Sequence, residues 1–187
     1  MKRSQGEAVE VKRNAGVMEI GRTIYKILSE PVEIREMKVD DLPGVLSIER
    51  VSFRTPWSES IFKEELSSFL CRSLVATVGG EIAGYINFAI VSDEVHLRNV
   101  SVHKAFRKCG IASKLLSEMI RISSEAGVLW STLEVRRSNT EAIKLYENFG
   151  FEIKGVRPSY YSDTREDAII MWADLRKLVA SGHFYGT

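Results

Sequence analysis

From Val32 onward the apolar positions switch between two periods. Val32-Glu33-Ile34-Arg35 alternates at period two and predicts a short strand. Leu42, Val45, Leu46, Glu49 and Phe53 recur at helical spacing and predict a helix with Asp40 or Asp41 as N-cap. Thr55-Pro56 interrupts that pattern. Ser58 then caps a second helix ending near Leu66, with Trp57 and Phe62 spaced as a hydrophobic staple. Residues 73–78 and 82–91 read as strands joined by Gly79-Gly80. Ser92-Asp93 turns the chain into a third strand, 95–102, making an antiparallel meander.

Ile111, Leu115, Met119 and Ile122, with Ala112, Leu116 and Ile120 beside them, predict an amphipathic helix over 111–125 that Gly127 ends. The apolar run 128–135 is a strand, and a right-handed crossover sets it parallel to 95–102. Ser138-Asn139-Thr140-Glu141 reads as a capping box with Ser138 at the N-cap, opening a helix that runs to Phe149 and stops at Gly150. Residues 151–156 form a strand, Arg157-Pro158 and a polar loop follow, and 167–172 returns as its hairpin partner. The order predicts an α+β fold, a mixed and mostly antiparallel sheet with helices on both faces. Residues 1–30 stand apart as an N-terminal extension, polar to Gly16 and then apolar at Val17, Ile20, Ile24, Ile27 and Leu28. The domain is placed at 31–176, and the tail 177–187 carries no readable signal.

Composition narrows the function classes. A chain of 187 residues with 44% hydrophobic residues is expected to form one globular domain. The net charge of +1 argues against a bulk nucleic-acid binder or a membrane-surface protein, so any basic site must be local. Cys71 and Cys109 match neither zinc spacing nor a secreted disulfide framework. No metal is therefore expected, and a reducing cytoplasm is the expected location. No apolar run reaches membrane-spanning length, and no signal-peptide pattern opens the chain.

The local basic site is the loop His103-Lys104-Ala105-Phe106-Arg107-Lys108-Cys109-Gly110, between the strand 95–102 and the helix from Ile111. A helix start offers unpaired N–H groups and the positive end of a dipole, which suits a phosphate, and Gly110 permits close approach of the backbone. Alone, the loop could equally be an ordinary connection with solvated charges. Glu134 sits within the apolar strand, where a carboxylate needs a partner or an open end. An edge ion pair with Arg136 or Arg137 would explain it as well as chemistry would. Tyr146 shares a helix face with Ala142 and Phe149, so packing accounts for it; Asn139 has the position of a cap.

Taken together, these segments carry a family pattern. Arg107-x-x-Gly110-x-Ala112 after a strand resembles the acetyl-CoA pyrophosphate loop of the GNAT acetyltransferases. Leu133-Glu134-Val135-Arg136-x-Ser138-Asn139, followed by Ala142-Ile143-x-Leu145-Tyr146 and Gly150-Phe151, resembles the N-terminal acetyltransferases of that family. With Pro56-Trp57-Ser58, Tyr160-Tyr161 and Glu166-Asp167-Ala168 added, the likeness is closest to its RimI group, which acetylates the N-terminal alanine of a small-subunit ribosomal protein.

The resemblance implies a GNAT fold with a splayed parallel strand pair, and acetyl-CoA as cosubstrate. It implies Glu134 as general base and Tyr146 as general acid. Val100, Ser101, Val102, Arg107, Lys108, Cys109, Gly110, Ile111, Ala112 and Asn139 would hold CoA, and Tyr160 and Tyr161 would line the peptide channel. The expected partner is a protein N-terminus, ribosomal in origin, met by a monomer or weak dimer. A lysine side chain or small amine as acceptor, or acetyl-CoA binding without turnover, are the competing readings. Cys109, at a helix N-terminus among basic residues, is a candidate for a reactive thiol.

Overall fold

The computed structural model describes residues 30–180; the extension assigned to 1–30 therefore lies almost wholly outside the described residues. The chain forms β1 (Val32–Glu36), α1 (Leu42–Ser52), α2 (Glu59–Ser67), β2 (Cys71–Val78), β3 (Glu81–Val91), β4 (Glu94–Val102) and α3 (Ile111–Glu125). There follow β5 (Trp130–Arg136), α4 (Thr140–Asn148), β6 (Glu152–Tyr161), β7 (Glu166–Asp174) and α5 (Leu175–Ala180). The seven strands lie in the order β1-β2-β3-β4-β5-β7-β6. Every neighbouring pair is antiparallel except β4 and β5. The expected mixed sheet is present, and β1 extends the meander to four strands.

Central strands are apolar on both faces because helices cover both. In β2, Leu74, Ala76 and Val78 join the core beneath α3, with Leu115, Leu116 and Met119. Val75 and Tyr85 face the opposite way, into a smaller core with Val45, Ile48 and Phe62 from α1 and α2. Alternation at period two sorts the side chains between these cores. Among the described residues no helix is long and apolar enough to cross a membrane.

Strong local signals correspond to the structure closely. Gly79 and Gly80 both have positive φ, 53° and 78°, as the tight hairpin requires. Ser58 accepts the Ile61 N–H, and the Trp57 and Phe62 rings meet at 5.4 Å, so cap and staple are both formed. Three expectations change. A 3₁₀ turn, Val39–Asp41, precedes α1, and Asp41 holds the expected N-cap position but makes no side-chain cap bond; its carboxylate accepts the Lys38 N–H and two bonds from Arg35, all at 2.7 Å. Asn139, not Ser138, caps α4 through the Ala142 N–H, and Ser138 instead gives its backbone N–H to Glu166 at 2.7 Å. The polar loop after Pro158 is shorter than expected, a turn over 162–165: β6 continues to Tyr161, with a register shift between Arg157 and Tyr161. As the edge strand, β6 tolerates a proline that has no N–H to donate.

Two irregularities in the sheet make room for a site. β4 and β5 pair only from Glu94↔Trp130 to Leu97↔Leu133. Beyond that point β5 stays with β7 through Arg136, and β4 stays with β3 through Val102, so the sheet opens as a fork. At the same place Asn87 faces Asn99 while Phe88 faces Leu97, which leaves Arg98 as the extra residue of a β-bulge.

Candidate active site

The fork is where the predicted residues gather. On one side, β4, still paired with β3 but with its β5-facing edge free, runs on to Val100, Ser101 and Val102 and passes through a 3₁₀ turn, Lys104–Phe106, into α3. Gly110 holds the N-cap position of α3 at φ 77°, and a Cβ built there would meet nothing within 4 Å. The space in front of it is open. The first helical bond of this stretch runs from the Lys114 N–H to the Gly110 carbonyl, so the amides of Ile111 and Ala112 lie ahead of the ladder. A pyrophosphate fits this donor set, and an amide-bearing chain fits the unpaired edge of β4.

Not every predicted CoA contact presents its side chain. Ile111 is 1% exposed, a core residue whose main chain alone belongs to the loop. Ser101 donates to the Ser52 hydroxyl at 2.8 Å. The Arg107 guanidinium turns inward, donating to the Val102 carbonyl at 3.2 Å and to Ser52 at 3.3 Å. It ties the loop to α1 and to the end of β4. Lys108, at φ 62°, is an exposed cation of the loop, as Lys104 is, and lies 3.7 Å from Glu141. Cys109 is half-buried and donates to the Arg107 carbonyl at 3.4 Å. Asn139 spends its side-chain oxygen on the α4 cap.

On the other side of the fork, Glu134 follows immediately on Leu133, the last residue of β5 paired to β4. Its carboxylate opens into a cavity of about 630 Å³, shared with Trp57, Leu97, Arg98, Tyr160 and Tyr161. The ion pair is with Arg157, 3.4 Å away across the β6–β7 hairpin, rather than with Arg136 or Arg137. Arg136 instead stacks over the Tyr161 ring at 3.9 Å and bonds Asp163 at 2.8 and 2.9 Å. Tyr160 and Tyr161 meet edge to face at 5.2 Å, and the Tyr161 hydroxyl reaches the Glu134 carbonyl at 3.5 Å. Burial, partly offset by Arg136, pushes the Tyr161 phenol up to about 12.

Tyr146 does not line that cavity. It is 6% exposed, packs against Phe151 at 5.9 Å and belongs to the core beneath α3. Burial, and then Tyr161 nearby, push its phenol above the ordinary range. The phenol therefore keeps its proton at neutral pH.

Reasoning from sequence missed the opposite wall. Arg98 lines the cavity, held by Glu65 at 3.0 Å and lying 5.8 Å from the Trp57 ring. Nothing in the local pattern of β4 marks a bulge at Arg98.

The profile of the Acetyltransferase (GNAT) family matches residues 42–151, from α1 to the start of β6. The chain belongs to that family. It is accordingly an N-acetyltransferase, of a family that uses acetyl-CoA. The chain is 33% identical over 145 residues to a putative ribosomal protein bS18-alanine N-acetyltransferase of Bacillus subtilis, covering 77% of this chain and 96% of the relative. It is 36% identical over 140 residues to the ribosomal protein bS18-alanine N-acetyltransferase of Escherichia coli K12, covering 74% and 94%. The crystal structure of the Escherichia coli enzyme superposes with a TM-score of 0.72 at 34% identity, over 78% of this chain and 94% of that one.

Proposed function

We propose that this acetyltransferase acts on the α-amine of a protein N-terminus, and that its acceptor is the N-terminal alanine of ribosomal protein bS18. The acceptor is supported by the activity for which both relatives are named, each matched over more than nine-tenths of its length. The observation that carries the chemistry is the position of Glu134, an open carboxylate at the point where the fork divides.

Acetyl-CoA, when bound, supplies an acetyl group activated as a thioester. The Ile111 and Ala112 amides, with Lys108, hold its diphosphate, and the main chain at Val100 and Val102 pairs with its pantetheine arm. Amides of the same β4 segment would stabilise the negative charge that develops on the acetyl oxygen. An α-amine has a pKa of about 7.7–8.0, so much of it is already neutral near pH 7. Glu134 then needs only to accept a proton, directly or through one water, as attack proceeds. Tyr146, protonated by virtue of its burial, donates to the departing thiolate. Tyr160 and Tyr161 flank the acceptor backbone. Transfer is direct within a ternary complex and uses no covalent enzyme intermediate.

The test uses labelled acetyl-CoA and a peptide beginning Ala-Arg, offered with a free amine, with a blocked amine, and blocked with an internal lysine. Label is expected in the free-amine peptide alone. Label entering only the blocked lysine peptide would overturn the acceptor class.

A further inference from the structure

A buried carboxylate outside the proposed acid–base pair joins two walls of the cavity. Glu49, near the end of α1, is 1% exposed. It accepts the Trp57 backbone N–H at 2.8 Å, the Tyr85 hydroxyl, and the Asn99 amide at 3.3 and 3.4 Å. Each donor is neutral, and each comes from a different segment: the chain between α1 and α2, β3, and the residue after the β4 bulge. Burial and the adjacent carboxylate raise the Tyr85 phenol, so it remains a donor.

What these donors hold is the acceptor cavity. The Trp57 ring lines it, braced on Phe62. Arg98 lines it too, and Asn99 is the next residue in the chain. The guanidinium of Arg98 lies 5.8 Å from the Trp57 ring centre, so the two walls meet. Burying a carboxylate costs desolvation that an apolar side chain at this point of α1 would avoid. A carboxylate has about four acceptor positions, enough to converge donors from three segments on one point. Packing alone has no need of that convergence.

We infer that Glu49 is a positioning residue for the acceptor, fixing the Trp57 lip against the Arg98 bulge so that the incoming chain enters in one register. It touches no reacting atom. The inference rests on reading this cavity as the acceptor site.

The test compares wild type, Glu49→Gln, Tyr85→Phe and Asn99→Ala with a core control, Ile48→Val, in peptide acetylation, acetyl-CoA calorimetry and thermal unfolding. Glu49→Gln is expected to raise the peptide KM by about tenfold, with kcat within about threefold and acetyl-CoA affinity within about twofold. Tyr85→Phe and Asn99→Ala are expected to raise the same KM by about threefold each. Ile48→Val is expected to lower the melting temperature with the KM unmoved. A peptide KM for Glu49→Gln within twofold of wild type, or a rise matched by Ile48→Val, overturns the inference. Should Glu49→Gln fail to fold, Tyr85→Phe and Asn99→Ala decide on the same criterion. A wild type that acetylates no N-terminal peptide would instead remove the reading beneath it.

Discussion

Glu134 and Tyr146, the base and acid of the proposed reaction, stand in contrasting surroundings. The carboxylate is open to solvent and ion-paired; the phenol is enclosed in the apolar core. Glu134→Gln and Tyr146→Phe should each lower kcat by about 100-fold or more, the usual range for general acid–base groups, with acetyl-CoA affinity within about twofold. Because burial raises the Tyr146 phenol, it is still protonated at pH 9 as at pH 7. The fold-loss in Tyr146→Phe should therefore be the same at about pH 7 and about pH 9. Steady-state rates at both values, with binding measured separately, check this; turnover of both variants at the wild-type rate would end the assignment. At this scale the sequence singled out Glu134 and Tyr146 as candidates by their surrounding motifs. It could not assign their neighbours. Arg157, the partner of Glu134, is 23 residues away and arrives through the β6–β7 hairpin. Ser138 and Asn139 are equally good caps by residue type; in the fold Asn139 takes the cap and Ser138 gives its N–H to Glu166, 28 residues on.

Among the elements, the junction of β4 and α3 was the most legible. Its helix bounds match the periodicity residue for residue, because an amphipathic stripe and a terminal glycine are both local signals. Gly110 gives the junction its test. Alanine there takes on a left-handed backbone at a cost of about 1–2 kcal/mol, yet its Cβ clashes with nothing in the protein. Gly110→Ala should thus weaken acetyl-CoA by about tenfold or more while lowering the melting temperature by only several degrees. Calorimetric affinity within twofold of wild type would show that no ligand approaches the backbone there. The least legible element was β6. It lies at the sheet edge with nearly every side chain exposed, so no apolar alternation marked its length. Its final residues, Tyr160 and Tyr161, looked like loop for that reason.

For the whole molecule, the boundary of the domain extends past residue 176. Leu178, in the stretch without a sequence signal, is buried on α5 within the main core. Leu178→Ala should cost about 2 kcal/mol, at the low end for a buried leucine, and denaturant unfolding would measure it. A loss below about 0.5 kcal/mol would mean that α5 is dispensable.

The amino-acid order alone specified the succession of strands and helices as far as β7, the basic, glycine-ended loop before α3, and the family to which the chain belongs. These follow from periodicity, caps and glycines, whose effects reach only a few residues along the chain. Folding in three dimensions decided the rest. The parallel pairing stops at Leu97 and Leu133, a bulge turns Arg98 toward the cavity, and Glu49 becomes the meeting point of three segments. Each depends on register between strands far apart in sequence, and on what a buried carboxylate can reach once they are paired. A helical wheel that places Glu49 among leucines and valines holds no trace of that.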